Sequence, residues 1–161
     1  MHYIAFYSRT NMLINISVHT NKFDILTIDN NTPLHIICKK GNVNFIGLYI
    51  HFSKNFGALN KDGKTPILMA LESNNYDILK FLLYNKYFDV NIQIDKYKNT
   101  LLHYACKYDL DDLLDMLLLD KDININVLNN KKEKPVFYSI NNQNKYAYEK
   151  LYLFNSQNKR I

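Results

Sequence analysis

The chain has 161 residues, 47% of them hydrophobic, a formal net charge of +5, two cysteines and four glycines. That length suits one domain with a continuous apolar core that needs no metal or disulfide to fold. No run of about 18 apolar residues is present, which argues against a membrane-crossing helix. Met1-His2-Tyr3-Ile4-Ala5-Phe6 also lacks the basic flank and long apolar region of a secretory signal, so a cytoplasmic address is the default, with the nucleus as the other compartment open to it.

Taken in order, residues 1–28 have loose periodicity, but His2 and Ala5 stand 33 residues before His35 and Cys38. This stretch is expected to be a degenerate N-terminal half-repeat, serving as a cap or as the cut end of a longer array. Residues 29–59 begin with a turn in which Asn30 tolerates the left-handed conformation. Thr32 is then a natural N-cap, and Pro33 suits the first helical position, where the missing N–H has no intrahelical acceptor. Leu34, Ile37 and Cys38 give one apolar face and Gly41 a helix stop. Val43, Phe45, Ile46, Tyr49 and Ile50 recur at helical spacing in a second helix.

The same grammar returns over residues 60–94. Asn60-Lys61-Asp62-Gly63-Lys64 makes a turn, Thr65-Pro66 starts a helix, Asn74 takes the place of Gly41, and Ile78, Leu79, Leu82 and Leu83 form the second stripe. Over residues 95–128 Thr100 caps, Leu101 stands where proline did, and Leu110, Leu113, Leu114, Leu117 and Leu118 follow. Residues 129–161 keep Pro135, place Lys134 at the threonine position, and have a tyrosine-rich second helix with Tyr146, Tyr148, Leu151 and Tyr152. The tail Gln157-Asn158-Lys159-Arg160 is expected to fray. From Thr32 to Thr65 to Thr100 to Lys134 the steps are 33, 35 and 34 residues, and all three prolines fall at one register position. Asp89-Val90-Asn91 and Asn124-Ile125-Asn126 are expected to form one strand-like connection in successive repeats. A recurring helical pair with a period near 33 marks a repeat array whose units share one core.

Thr32-Pro33-Leu34-His35, the turn ending in Asp62-Gly63-Lys64-Thr65-Pro66, Leu102-His103-Tyr104-Ala105 and the Asp89-Val90-Asn91 loop together resemble the ankyrin repeat over roughly residues 29–154. The departures are Leu101 for proline, Leu68 for histidine and the weak fourth repeat. The resemblance implies an all-α solenoid of helix-turn-helix pairs with projecting β-turn loops, about four repeats plus the half-repeat. It also implies that Leu82 and Leu117 are interior.

Little in the sequence points to chemistry. Cys38 and Cys106 are two repeats apart, about 20 Å at the usual spacing of packed helices and beyond the reach of a disulfide, so both are expected to be free core thiols. His35 and His103 each follow a helix-starting threonine by three residues, and the ankyrin resemblance makes them partners of that cap that tie the turn to its neighbour. No pair of histidines or cysteines has the spacing of a zinc site. Asp109, Asp111, Asp112 and Asp115 lie around a helix start, where negative charge is favoured, and the leucine periodicity turns them to solvent. No phosphate-binding glycine loop or nucleophile elbow is present. The chain is therefore read as no enzyme, with no cofactor and no metal.

Function is then expected on the surface. In ankyrin proteins the loop tips and inner helices line a concave face, and the matching positions are Lys39 and Lys40; Lys61, Asp62 and Lys64; Glu72 and Ser73; Lys96, Tyr97 and Asn99; Lys107 and Tyr108; and Lys131 with Glu133. Lysines at one offset from successive repeats would make a basic stripe carrying tyrosines. Such a stripe attracts an acidic segment of another protein in a salt-dependent way, with Tyr97 and Tyr108 as anchors. The reading is a protein-protein interaction module, monomeric on its own. The alternatives are the recognition part of a larger enzyme or channel, and nucleic-acid binding by the basic face, for which no motif is present.

Overall fold

The computed structural model describes residues 26–51 and 53–158. Most of the expected half-repeat of residues 1–28, with His2 and Ala5, lies outside the described residues. The chain divides into two compact units, Met1–Phe88 and Asp89–Ile161. Among the described residues each unit holds two helix pairs and no strand.

The first unit has α1 (Pro33–Lys40) and α2 (Val43–Tyr49), followed by α3 (Pro66–Glu72) and α4 (Tyr76–Tyr84). Thr32 is the N-cap of α1 in extended backbone, with Pro33 at the first helical position, and Gly41 ends the helix at φ 77 with its N–H donating to Ile37 O. Thr65 caps α3 in the same way, accepting from Leu68 N. The apolar faces then meet: α1 packs on α3, and α2 on α4. Leu34, Ile37, Cys38, Ile46, Ile67, Ile78 and Leu82 form the core, with Leu82 at 0% exposure as the repeat reading requires.

The second unit repeats this plan with α5 (Leu101–Lys107) and α6 (Asp111–Leu118), then α7 (Pro135–Asn141) and α8 (Lys145–Asn158). α5 packs on α7, and α6 on α8. Leu102, Cys106, Leu113, Leu114 and Leu117 fill its core, Leu117 at 0% exposure. Leu101 replaces proline at the first helical position and is fully buried, so an apolar ring is not essential there. Both thiols are free and buried. Burial pushes the Cys106 thiol up to about 12 and Cys38 well above the ordinary range, which keeps both protonated and unreactive.

The structure corrects three expectations. Asp89-Val90-Asn91 is a turn, closed by Ile92 N donating to Asp89 O, because the Asp89 carboxylate accepts from Asn91 N and bends the backbone. Gln157 and Asn158 belong to α8, while Lys159 and Arg160 lie outside the described residues. Of the residues expected in the last stripe only Leu151 is buried; its partner one helical turn earlier is Ala147, while Tyr146, Tyr148 and Tyr152 face outward. Ala147 and Leu151, one helical turn apart, set the buried face of α8, and the tyrosine positions fall on its other faces.

Candidate protein-interaction surface

Each repeat opens with one turn built the same way. Its first residue is Thr27, Asn60, Asp95 or Asn129, and a side-chain oxygen there accepts backbone N–H groups further on: Asn31 for Thr27, Asp62 and Lys64 for Asn60, Tyr97 and Asn99 for Asp95, Lys131 and Glu133 for Asn129. Three residues beyond that acceptor the chain is left-handed, at Asn30 (φ 57), Gly63 (φ 73), Lys98 (φ 63) and Lys132 (φ 60). A lysine in this conformation costs about 1–2 kcal/mol, and the hydrogen bonds from the acceptor side chain offset it.

Within each unit the turns are fastened to the neighbouring repeat. In the first unit Lys61 N donates to Asp29 O at 2.9 Å, Asn60 Nδ2 to Asn31 Oδ1 at 2.8 Å, and Asn75 Nδ2 to Cys38 O and Lys39 O at 2.9 and 2.8 Å. In the second, Asn130 N donates to Tyr97 O at 2.9 Å, Asn130 Nδ2 to Lys96 O at 3.0 Å, Asn129 Nδ2 to Asn99 Oδ1 at 2.9 Å, and Asn142 Nδ2 to Lys107 O at 2.6 Å.

The histidines complete this frame. His35 Nδ1 lies 3.1 Å from Thr32 N and 2.8 Å from Thr32 Oγ1, and its Nε2 is 3.0 Å from Lys64 O. His103 does the same with Thr100 and, at 3.1 Å, Glu133 O. Accepting at Nδ1 and donating from Nε2 fixes the neutral tautomer. Burial lowers both pKa values, against the hydrogen bonds to carbonyls that raise them. Both rings are spent on the scaffold. Among the described residues no group of three or more His, Cys, Asp or Glu side chains could hold a metal.

Of the acidic run, Asp111 and Asp112 are exposed at the start of α6. Burial, then repulsion from neighbouring carboxylates, raises the Asp111 pKa. Asp115 is half-buried instead, because Lys150 Nζ sits 2.9 Å from it and the Tyr146 hydroxyl donates to it at 2.7 Å. These bonds lower its pKa and join α6 to α8.

The expected surface residues divide by unit and by what holds them. In the first unit Lys39, Lys61 and Asp62 are exposed and Lys40 is half-buried, with burial lowering the Lys40 pKa. Lys64 and Glu72 form an ion pair at 2.6 Å, so they offer a partner little net charge. In the second unit Lys96, Tyr97, Lys107, Tyr108 and Lys131 are exposed, but Asn99 and Glu133 are half-buried. Asn99 bonds Asp95 and Asn129. Glu133 accepts from the Tyr138 hydroxyl at 2.8 Å and from Asn129 Nδ2, and the Tyr138 bond, ahead of other causes, holds its carboxyl below the usual range. Burial and that carboxylate push the Tyr138 hydroxyl up to about 12.

The lysines and tyrosines of the second unit are paired. Lys96 Nζ lies 5.3 Å from the centre of the Tyr97 ring, and Lys107 Nζ 4.9 Å from Tyr108 and 5.8 Å from Tyr138. The Tyr104 and Tyr108 rings are in contact at 5.7 Å. An ammonium over a ring face gains about 0.5–1 kcal/mol at an exposed site, enough to bias these long side chains toward a shared position. Lys98 and Lys132, exposed at the turn tips, are absent from the expected set. Alignment with Gly63 would have located them.

A family model described as ankyrin repeats (3 copies) matches residues 1–94 and 50–129. The chain belongs to the ankyrin repeat family. A Fowlpox virus (strain NVSL) protein named as the ankyrin repeat protein FPV244 is 26% identical over 129 residues, which is 80% of this chain and 18% of that protein. The chain thus spans less than a fifth of the length of this curated relative. Ankyrin repeats are generally non-catalytic modules that bind other proteins. No helix among the described residues is long and apolar enough to cross a membrane.

Proposed function

We propose that this ankyrin chain is a non-catalytic interaction module that takes acidic segments of a partner protein on the turn tips and inner-helix ends of each unit. In the first unit Lys39 and Lys61 supply the charge, with Asp62 setting register by repelling a misplaced carboxylate. In the second unit Lys96, Lys107 and Lys131 supply it, with Tyr97 and Tyr108 as apolar anchors. The pairing of exposed lysines with tyrosine rings in the second unit carries this reading, since it places positive charge and flat apolar surface side by side. By comparison, Lys64, Glu72, Asn99 and Glu133 serve the scaffold first and shape the surface second.

The test uses a fluorescent oligo-glutamate peptide carrying one aromatic residue, with binding followed by anisotropy at low and high salt. Charge reversal at Lys61 and Lys96 together should weaken binding at low salt and lower stability by no more than the about 0.5–1 kcal/mol of the Lys96 contact with the Tyr97 ring, since both side chains are exposed. Affinity indifferent to both salt and reversal refutes the proposal.

A further inference from the structure

Lys39 and Lys107 stand at one register position, seven residues after Thr32 and Thr100. Both are exposed, and the carbonyl of each accepts from an asparagine of the following helix pair, Asn75 at 2.8 Å for Lys39 and Asn142 at 2.6 Å for Lys107. The main chains are fastened alike, and the difference lies in what surrounds the side chains. Lys107 Nζ is 4.9 Å from the centre of the Tyr108 ring and 5.8 Å from that of Tyr138, so one ring comes from the end of its own helix and the other from α7. In the first unit the matching positions are Lys40 and Met69, neither of them aromatic.

Tyr138 is absent from the expected surface set, yet its ring is held on several sides. Its hydroxyl donates to Glu133 at 2.8 Å and accepts from Asn129 Nδ2 at 3.0 Å, and the ring meets His103 edge-on at 6.0 Å. Met69 faces the same donor, Asn60 Nδ2, at 3.8 Å from its sulfur, so a flexible side chain stands in the first unit where the second has a fixed ring. A lysine that binds an anion gives up side-chain freedom, which weakens binding about two- to tenfold. Lys107, with a ring on each of two helices, has given up part of that freedom beforehand. Beside it Tyr108 is 53% exposed, and the Tyr104 ring, tied through its hydroxyl to Asp95 at 3.0 Å, continues the wall at 5.7 Å. An anion held by Lys107 therefore has flat apolar surface next to it. Every group in this arrangement belongs to α5, α7 or the turns that precede them.

We propose that Lys107, clamped between the Tyr108 and Tyr138 rings, selects an acidic residue that adjoins an aromatic one in the partner segment, and that Tyr138 is its positioning residue. The inference rests on the acidic-segment reading and makes the units unequal: the first answers to charge, the second to charge beside a ring. The carboxylate meets the ammonium on the side away from the two tyrosines, and the neighbouring aromatic ring stacks on Tyr108. A segment of acidic residues alone leaves that wall in water.

The experiment compares two fluorescent oligo-glutamate peptides on the full chain by anisotropy at low and high salt, one with a central phenylalanine and one with alanine there. Lys107→Gln should weaken the phenylalanine peptide about two- to tenfold more than Lys39→Gln does, and should abolish the preference for phenylalanine. Tyr138→Leu should weaken it similarly, and Tyr138→Phe, which keeps the ring, should recover most of the loss. A tyrosine that serves only the scaffold acts through its hydroxyl bonds, so a phenylalanine variant as weak as the leucine variant overturns the positioning role. Equal losses from Lys39→Gln and Lys107→Gln, or no preference for phenylalanine, overturn the selection of an acidic–aromatic pair; both lysines are exposed, so this comparison stands even where Tyr138→Leu does not fold. Salt-sensitive binding with equal lysines refutes this inference alone. Absent or salt-indifferent binding of both peptides refutes the acidic-segment reading and this inference with it.

Discussion

Replacing His35 and His103 by leucine separates the scaffold role of these rings from any chemistry. Leucine stands at the equivalent position 68 and is 1% exposed there, so the volume is acceptable at this register position. In His35→Leu the ring's bonds to Thr32 and to Lys64 O disappear. The carbonyl left unpaired costs about 1–3 kcal/mol, and the weakened cap about 0.5–2 kcal/mol. Each substitution should therefore cost about 2–4 kcal/mol, measured from denaturant midpoints. The same variants carry a pH signature. Burial lowers both folded pKa values below their ordinary 6.5, so the unfolded chain takes up protons first as the pH falls. Their contribution is complete above about pH 6.5 and is lost as pH falls from there through the lowered folded pKa values. The double variant should show a flatter stability profile between about pH 7 and pH 5. A double variant with the wild-type slope and midpoint would falsify this account of the histidines.

Four further outcomes are expected. Leu82→Ala and Leu117→Ala, both at 0% exposure, should each cost about 2–5 kcal/mol in chemical denaturation; a wild-type midpoint contradicts the core assignment. Lys98→Gly removes the left-handed strain at φ 63 and should stabilise by up to about 1 kcal/mol, less whatever glycine adds to the entropy of the unfolded chain; a loss of stability would mean that the Lys98 side chain contributes to the fold. Cys38 and Cys106 should resist alkylation at pH 8 until denaturant is added, and rapid labelling of the folded chain would place a thiol at the surface. Asn129→Ala removes the acceptor for Lys131 N and Glu133 N and the donor to Asn99. It should cost several times what Asn130→Ala costs, because Asn130 is exposed and its side chain makes one bond, to Lys96 O.

Register was the most legible part of the sequence. Threonine, proline and the left-handed Asn30, Gly63 and Gly41 carry strong local preferences, and each appears in the structure where its preference puts it. The asparagines were not legible. Their abundance looks like compositional bias, yet Asn60, Asn75, Asn129 and Asn142 fasten one repeat to the next over separations of 29 to 37 residues, and no local pattern encodes a bond of that range. Offset alone puts Lys96, Tyr97, Lys107 and Tyr108 on the surface, where they are exposed, but does not show that Asn99 and Glu133 turn inward or that Lys64 meets Glu72. The tyrosines of the last helix misled because helical spacing does not say which face a neighbour covers.

Many of the bonds between repeats end on main-chain oxygens. His35 reaches the carbonyl of Lys64, Asn75 those of Cys38 and Lys39, and Asn130 those of Lys96 and Tyr97. A carbonyl is the same on every residue, so these joints are blind to the side chains at 39, 96 and 97. The outward half of those residues can be rewritten while the inward half goes on bearing the load. A new preference for a partner could thus arise by exchanging exposed side chains one at a time, with the architecture beneath them intact at every step.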